Sequence, residues 1–295
     1  MTTRIRILFT ILFYFFAHSA WAQSEYPSLL WEIKGNDLAK PSYLYGTMHS
    51  FDSRAFRFTK QAERYIQKSD IFAMEMIMDI PADDPMWMLP KLLMPGDTTL
   101  NMLMDSLSFL KLNQYMTDTL QMPLIFFARV KPFFLMAFFM QDDHPLSIDR
   151  STFLDYDLSK RAKKFKKPVI GLETMEEQLR AVDAIPLREQ AKMLLDAIDS
   201  ESDGNSQDDE LLLSYEKADL SGIYSLYKKE DLSNTFNASL ITTRNTRMVD
   251  RMEVYIKQGK SLFTAVGALH LPGEEGIINL LRKKGYIVTP ITLKH

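Results

Sequence analysis

Two histidines stand in the same short pattern near opposite ends of a 295-residue chain: Gly46-Thr47-Met48-His49 and Gly267-Ala268-Leu269-His270. Each Gly-x-x-His follows an apolar run, Ser42 to Tyr45 before the first and Ser261 to Val266 before the second. Runs of that length, rich in aromatic and β-branched residues, read as buried strands. Gly46 and Gly267 read as glycines that let the backbone turn as it leaves the strand. Each imidazole would then project from a strand's C-terminal end, the edge where open α/β sheets bind ligands. Glu75 belongs to a third apolar run, Ile71 to Met76. A carboxylate there is costly unless paired or metal-bound. His49, Glu75 and His270 together offer two neutral imidazoles and one carboxylate, a recurring hydrolytic ligand set for a divalent transition metal such as manganese, cobalt or zinc. Such an ion lowers the pKa of a bound water and polarises a carbonyl. The spacing is not the compact His-x-x-x-His of zinc peptidases, so the fold must bring the two ends together.

Four further residues could serve the same site. Glu173 ends the run Val169 to Leu172 and is expected as a general base or a fourth ligand. Arg244 is expected to bind a substrate carboxylate or to stabilise an oxyanion; the alternative is an ion pair with Glu75 or Glu173 inside the fold. Asn245 is expected to orient a metal ligand, and Asp155 to support one from behind. The chain has no cysteine, which excludes disulfides, thiolate metal sites and cysteine nucleophiles. It has no Gly-x-Ser-x-Gly elbow and no glycine-rich phosphate loop. A glycosidase pair of Glu75 and Glu173 is conceivable but leaves both histidines unexplained.

The residues around these positions resemble the TraB/PrgY/GumN family, which includes the Tiki proteins. The likeness rests on Tyr43-Leu44-Tyr45-Gly46 to His49, on Glu75 at the end of its strand, and on Gly171-Leu172-Glu173-Thr174 with Glu177-Gln178 downstream. It continues in Asp155 near the start of the preceding helix, in Arg244-Asn245-Thr246-Arg247-Met248, and in Val266 to Gly276 with the segment that follows to Tyr286. The resemblance implies an α/β fold similar to the erythromycin-esterase/ChaN-like group. For the Tiki branch it implies metal-dependent cleavage of peptides. Haem or iron binding enters only by analogy with ChaN-like folds, and the sequence carries no dedicated haem signature.

The elements that must position these groups form a single domain over 23–295, with a central mixed sheet flanked by helices and a helical insertion at about 81–150. Strands are expected at Leu29–Ile33, Ser42–Tyr45, Ile71–Met76, Val169–Leu172, Ser261–Val266 and Ile287–Ile291. Helices are expected at 57–68, from Leu154 through Ala162, across 187–227 with an acidic loop at Asp199–Asp209, and at 240–257 and 276–284. Thr174 is expected to cap a helix through Leu179. Within the insertion the prolines divide helices at about 86–94, 99–107, 109–118 and 124–140. The acidic loop lacks the full calcium-loop pattern.

Residues 1–22 read as a signal peptide: Arg4 and Arg6, an apolar Ile7–Phe16, and the cleavage pattern Ala20-Trp21-Ala22. The mature chain is expected to be exported, periplasmic or extracellular, with no stable membrane span. A net charge of −3 makes no electrostatic case for nucleic acid. Two functional classes remain. One is a secreted metal-dependent hydrolase, a peptidase acting on a peptide or protein substrate. The other is a non-catalytic protein that binds a peptide or hydrophobic ligand at the Met- and Phe-rich insertion, where the 18 methionines of the chain would suit an adaptable surface. Metal-dependent turnover separates them.

Overall fold

The structure, a computed structural model, describes residues 25–36, 38–48, 50, 52–77, 86–139, 154–202, 207–229 and 233–294. The expected leader at 1–22 lies outside the described residues, as do His49, Met140 and His144.

Among the described residues six strands form one mixed sheet: β1 (Leu30–Lys34), β2 (Ser42–Thr47), β3 (Ile71–Met76), β4 (Val169–Glu173), β5 (Leu262–Gly267) and β6 (Ile287–Ile291). Their order is β4-β3-β5-β2-β1-β6. The first four in that order are parallel neighbours, and β1 runs antiparallel between β2 and β6. The central strands are buried on both faces: every residue of β2 is buried, and all of β5 except Gly267. That is why they read as continuous apolar runs rather than alternating ones. Phe72 of β3 stacks on Phe263 of β5 with ring centroids 5.8 Å apart. This pair joins Trp31, Tyr45 and Phe58 among the largest fully buried side chains.

Among the described residues ten longer helices accompany the sheet: α1 (Thr59–Lys68), α2 (Ser106–Asp118), α3 (Pro132–Phe139), α4 (Leu154–Lys164), α5 (Met175–Asp183), α6 (Leu187–Ser202), α7 (Gln207–Glu216), α8 (Leu220–Lys229), α9 (Thr243–Lys257) and α10 (Ile277–Lys283). α9 packs on β4 and β5 through Met248, Val249, Met252 and Ile256 at helical spacing. A second apolar core lies apart from the sheet, in which Met94, Leu100, Leu112, Met116, Leu124 and Leu135 meet Leu194 and Ile198 of α6.

Several boundaries differ from the sequence expectation for physical reasons. The segment 99–107 is not a helix; a short 3-10 turn covers Leu100–Met102. Asp105 then caps α2, its carboxylate accepting the N–H groups of Leu107 and Ser108. The helix expected at 124–140 is a 3-10 turn at Leu124–Phe127 followed by α3. Pro132 has no N–H to continue an earlier helix but suits the first position of a new one. α6 extends into the expected acidic loop as far as Ser202, and Lys111 of α2 pairs with Asp199. Ahead of α9, Asn237–Thr242 forms a π-helical turn.

Gly46 and Gly267 also differ from expectation. Neither has a positive φ. Each is required by close approach: a Cβ on Gly46 would lie 3.1 Å from the Ala268 Cα, and one on Gly267 would lie 3.2 Å from Glu75 Oε1.

Candidate functional site

The parallel strands deliver their chemistry to one edge. β4 ends on Glu173, β3 carries Glu75 as its penultimate residue, and β5 runs into a 3-10 turn, Ala268–His270. β2 and β5 pair with Thr47 opposite Gly267. Both Gly-x-x-His segments therefore leave the sheet from adjacent parallel strands at the same edge. His49 itself lies outside the described residues. Among the described residues no group of three His, Cys, Asp or Glu is placed to hold a metal.

Glu75 and His270 face each other. Glu75 Oε1 accepts the Gly267 N–H at 2.7 Å and lies 3.7 Å from His270 Nε2. That separation exceeds a hydrogen bond. On the other side of the ring, His270 Nδ1 is 2.6 Å from Asn245 Oδ1. The Asn245 amide is oriented by its Nδ2, which donates to the Glu275 carbonyl at 2.7 Å. With Oδ1 facing the ring, His270 Nδ1 must donate, and a neutral imidazole then keeps its lone pair on Nε2, toward Glu75. Asn245 and His270 are both buried, so the ring orientation is fixed from behind.

The second half of the site is a ladder of charges. Arg244 Nη2 lies 2.6 Å from Glu75 Oε2 and 2.7 Å from Glu173 Oε2, and its Nε donates to Glu173 Oε2 at 2.8 Å. Arg247 Nη1 reaches Glu173 Oε1 at 3.1 Å. Arg251 grips Glu177 through both terminal nitrogens at 2.6 and 2.7 Å. The Glu173 side chain has no exposed surface, and guanidinium groups occupy both of its oxygens. Such pairing is what allows a carboxylate to stay charged inside a protein. Burial acts to lower the Arg244 pKa, but the field of Glu75 and its bonds to Glu173 outweigh burial and raise it. Arg251 holds Glu177 at about 2, against the burial that acts to raise it. Glu177 also closes a capping box with Thr174 at the start of α5, the cap the sequence predicted.

The structure thus brings together Glu75, His270, Glu173, Arg244 and Asn245. Asp155 sits elsewhere along the edge, behind the first motif: Thr47 Oγ1 donates to its Oδ1 at 2.6 Å. Tyr215 of α7 donates to the Gly46 carbonyl at 2.9 Å and secures the same strand end. Arg251 escaped the sequence reading, and Arg247 and Gln178 entered it only as members of the motifs, without a role. Gln178 Nε2 is 3.5 Å from Glu75 Oε2 and 3.4 Å from Glu173 Oε2. A signal for the arginines existed: positions 244, 247 and 251 place three guanidinium groups on one face of a helix.

The donor set tests well for an ion. A ring nitrogen of His270 faces a carboxylate oxygen of Glu75 at 3.7 Å, and a buried amide fixes the opposite ring nitrogen. Glu75 and His270 fit a divalent transition metal as two of its ligands, and the first motif emerges on the neighbouring strand.

Comparison with known proteins agrees with the resemblance in the motifs. A sequence model of the TraB/PrgY/gumN family matches residues 29–290, and the chain belongs to that family. It is 25% identical over 316 residues to a protein named Metalloprotease TIKI1 from Danio rerio, covering 90% of this chain and 63% of the relative. It is 24% identical over 320 residues to Metalloprotease TIKI1 from Xenopus tropicalis, covering 90% of this chain and 62% of the relative. The chain therefore spans less than two thirds of the length of these relatives. No solved structure matches. No helix among the described residues is long and apolar enough to cross a membrane.

Proposed function

We propose that this member of the TraB/PrgY/gumN family is an exported metal-dependent hydrolase that cleaves peptides, with His49, Glu75 and His270 as metal ligands. The carrying observation is the placement of His270 Nε2 opposite Glu75 Oε1 at 3.7 Å, with Nδ1 held by Asn245. The names of the two relatives support the activity class. Export rests on the sequence pattern at 1–22, and a fold of the erythromycin-esterase/ChaN-like kind on the motif resemblance.

A bound manganese, cobalt or zinc ion supplies Lewis-acid polarisation of the scissile carbonyl and a water of lowered pKa. The chain's own residues prepare the place. Asn245 keeps the His270 lone pair directed at the centre. The Gly267 N–H fixes Glu75 Oε1, while Arg244 holds Oε2. Glu75 and Glu173 keep Arg244 protonated, so a fixed positive charge stands beside Glu75. Its guanidinium also lies beside the centre, where it stabilises negative charge that develops on a substrate oxygen. Asp155 steadies the first motif through Thr47.

Glu173 takes a different part in this proposal from the general base expected of it. A carboxylate with no exposed surface and two guanidinium partners is poorly placed to take a proton from water. Its part here is to anchor Arg244. The second reading, a peptide- or hydrophobic-ligand-binding protein of the same fold, is favoured by that same compensation, because Arg244 and Arg247 let the buried carboxylates stand without an ion.

Turnover of a quenched-fluorescent peptide library with added manganese, cobalt or zinc tests the proposal. Cleavage abolished by chelator and by His270→Ala supports it. A purified wild-type chain that binds peptides but cleaves none with any of these ions supports the binding-protein reading.

A further inference from the structure

A cleft of about 340 Å³ lies beside the site, between α8, the π-helical turn at Asn237–Thr242 and the loop that carries His270 onward to Gly276. Tyr224 and Tyr227 stack with ring centroids 6.2 Å apart on one wall. Ile241, Leu269 and Pro272 supply an aliphatic surface. Thr242 adds a polar group, and Asn237 ties the aromatic wall to the π turn by accepting the Tyr227 hydroxyl while its amide nitrogen donates to the Ser233 carbonyl. Lys228 and Glu274 have exposed side chains. The lining thus mixes apolar, aromatic and polar groups in comparable measure, and the size lies at the lower end of the range for ligand pockets.

The cleft is tied to the catalytic edge through the chain itself. Leu269 precedes His270 in sequence, and Glu275, another lining residue, accepts the Asn245 amide. The π turn on the opposite wall leads directly into Arg244 and Asn245. π turns inside helices recur at functional sites. Gly273 has a φ of +91°, and a Cβ there would meet the Tyr224 hydroxyl at 2.5 Å, so this glycine lets the aromatic wall close on the loop.

We propose that this cleft is a specificity pocket for an aromatic or large branched apolar side chain of an extended peptide. The stacked tyrosines and the aliphatic wall accept the side chain, and Thr242 accepts a flanking amide. Its assignment to a substrate rests on the hydrolase reading; its preference among side chains does not.

The test separates the two. N-acetyl-L-phenylalanine amide and N-acetyl-L-alanine amide are titrated by NMR into the mature wild-type chain and His270→Ala, both labelled on the tyrosine rings. The phenylalanine amide binds at least about ten-fold tighter, as burial of a large apolar side chain supports. It does so in both proteins and shifts tyrosine ring resonances. Ile241→Asp and Tyr227→Ala lose the preference, whereas Met102→Asp on the exposed surface of the insertion keeps it. Equal affinity for the two amides, or unshifted tyrosine resonances in the wild type, overturns the pocket whether or not the variants fold. Preference without turnover of any peptide keeps the pocket and removes the hydrolase. Turnover indifferent to side chain keeps the hydrolase and removes the pocket.

Discussion

Gly46 packs against Ala268, so the two Gly-x-x-His segments are in contact through their backbones. A Cβ on Gly46 would lie 3.1 Å from the Ala268 Cα, 3.2 Å from its Cβ and 3.0 Å from Leu271 Cδ1. The pairing of β2 with β5 fixes that approach. A larger residue at 46 would press on Ala268 and Leu271 more closely than ordinary packing allows, so these neighbours would have to shift. Gly46→Ala should lower stability by about 1–3 kcal/mol, the usual cost of overpacking a full core. Gly46→Val should cost more. Urea unfolding of the two variants checks the order; equal stability to wild type would show that the motifs are not pressed together.

Arg244 compensates two carboxylates at once. Arg244→Met leaves Glu75 and Glu173 without their shared partner and should destabilise the chain by about 3–5 kcal/mol. Arg251→Met should cost less, because its side chain is 38% exposed and solvent screens the charge it leaves. Adding Glu173→Gln to Arg244→Met should recover part of the loss, since the two side chains are in direct contact. Chemical denaturation of these variants and of Glu173→Gln alone decides it, and strict additivity of Arg244→Met and Glu173→Gln would contradict the coupling.

Stability should fall in acid partly through Glu177. Arg251 holds its folded-state pKa at about 2, below the ordinary value of 4.5. Between those values the unfolded chain binds more protons than the folded one, so stability rises with pH. The contribution is complete above about 4.5 and disappears as pH falls toward about 2. Glu177→Gln should flatten the pH dependence of the melting temperature across that window. An unchanged slope would place the acid sensitivity elsewhere.

Asn245 should matter to the metal more than to the fold's outline. Losing the oxygen that faces His270 Nδ1 frees the ring, and removal of such a supporting partner typically costs about 10–100-fold in metal affinity. Asn245→Ala should show that loss in a competition titration with a fluorescent chelator. Asn245→Asp, which keeps an acceptor for Nδ1, should lose less. Identical affinities for the two variants would mean that the ring is held by other contacts.

Much of the sheet was legible because buried parallel strands leave unbroken apolar runs. β3 and β6 have the limits read from the sequence, and the cap at Thr174 followed from its position before Glu177. The insertion was less legible. Its Met, Phe and Leu content gives no clear helical period, so Asp105 and Pro132 decided the boundaries locally. The gathering of Glu75, Glu173 and Arg244 was foreseen only as an alternative, because sequence spacing does not say which charges meet. The second rank of arginines needed facing carboxylates on β4 and α5 before its helix spacing had meaning. The reason for glycine at 46 and 267 is close approach across strands distant in sequence, which no local pattern records.

The central claim is tested most directly by the metal content of the mature chain purified without chelator, measured by elemental analysis for the wild type, His49→Ala and His270→Ala. The account predicts about one manganese, cobalt or zinc ion per wild-type chain, and its loss in both variants while each still unfolds cooperatively. A wild-type chain that neither carries nor takes up any of these ions, or a His270→Ala chain that keeps its ion, would contradict it.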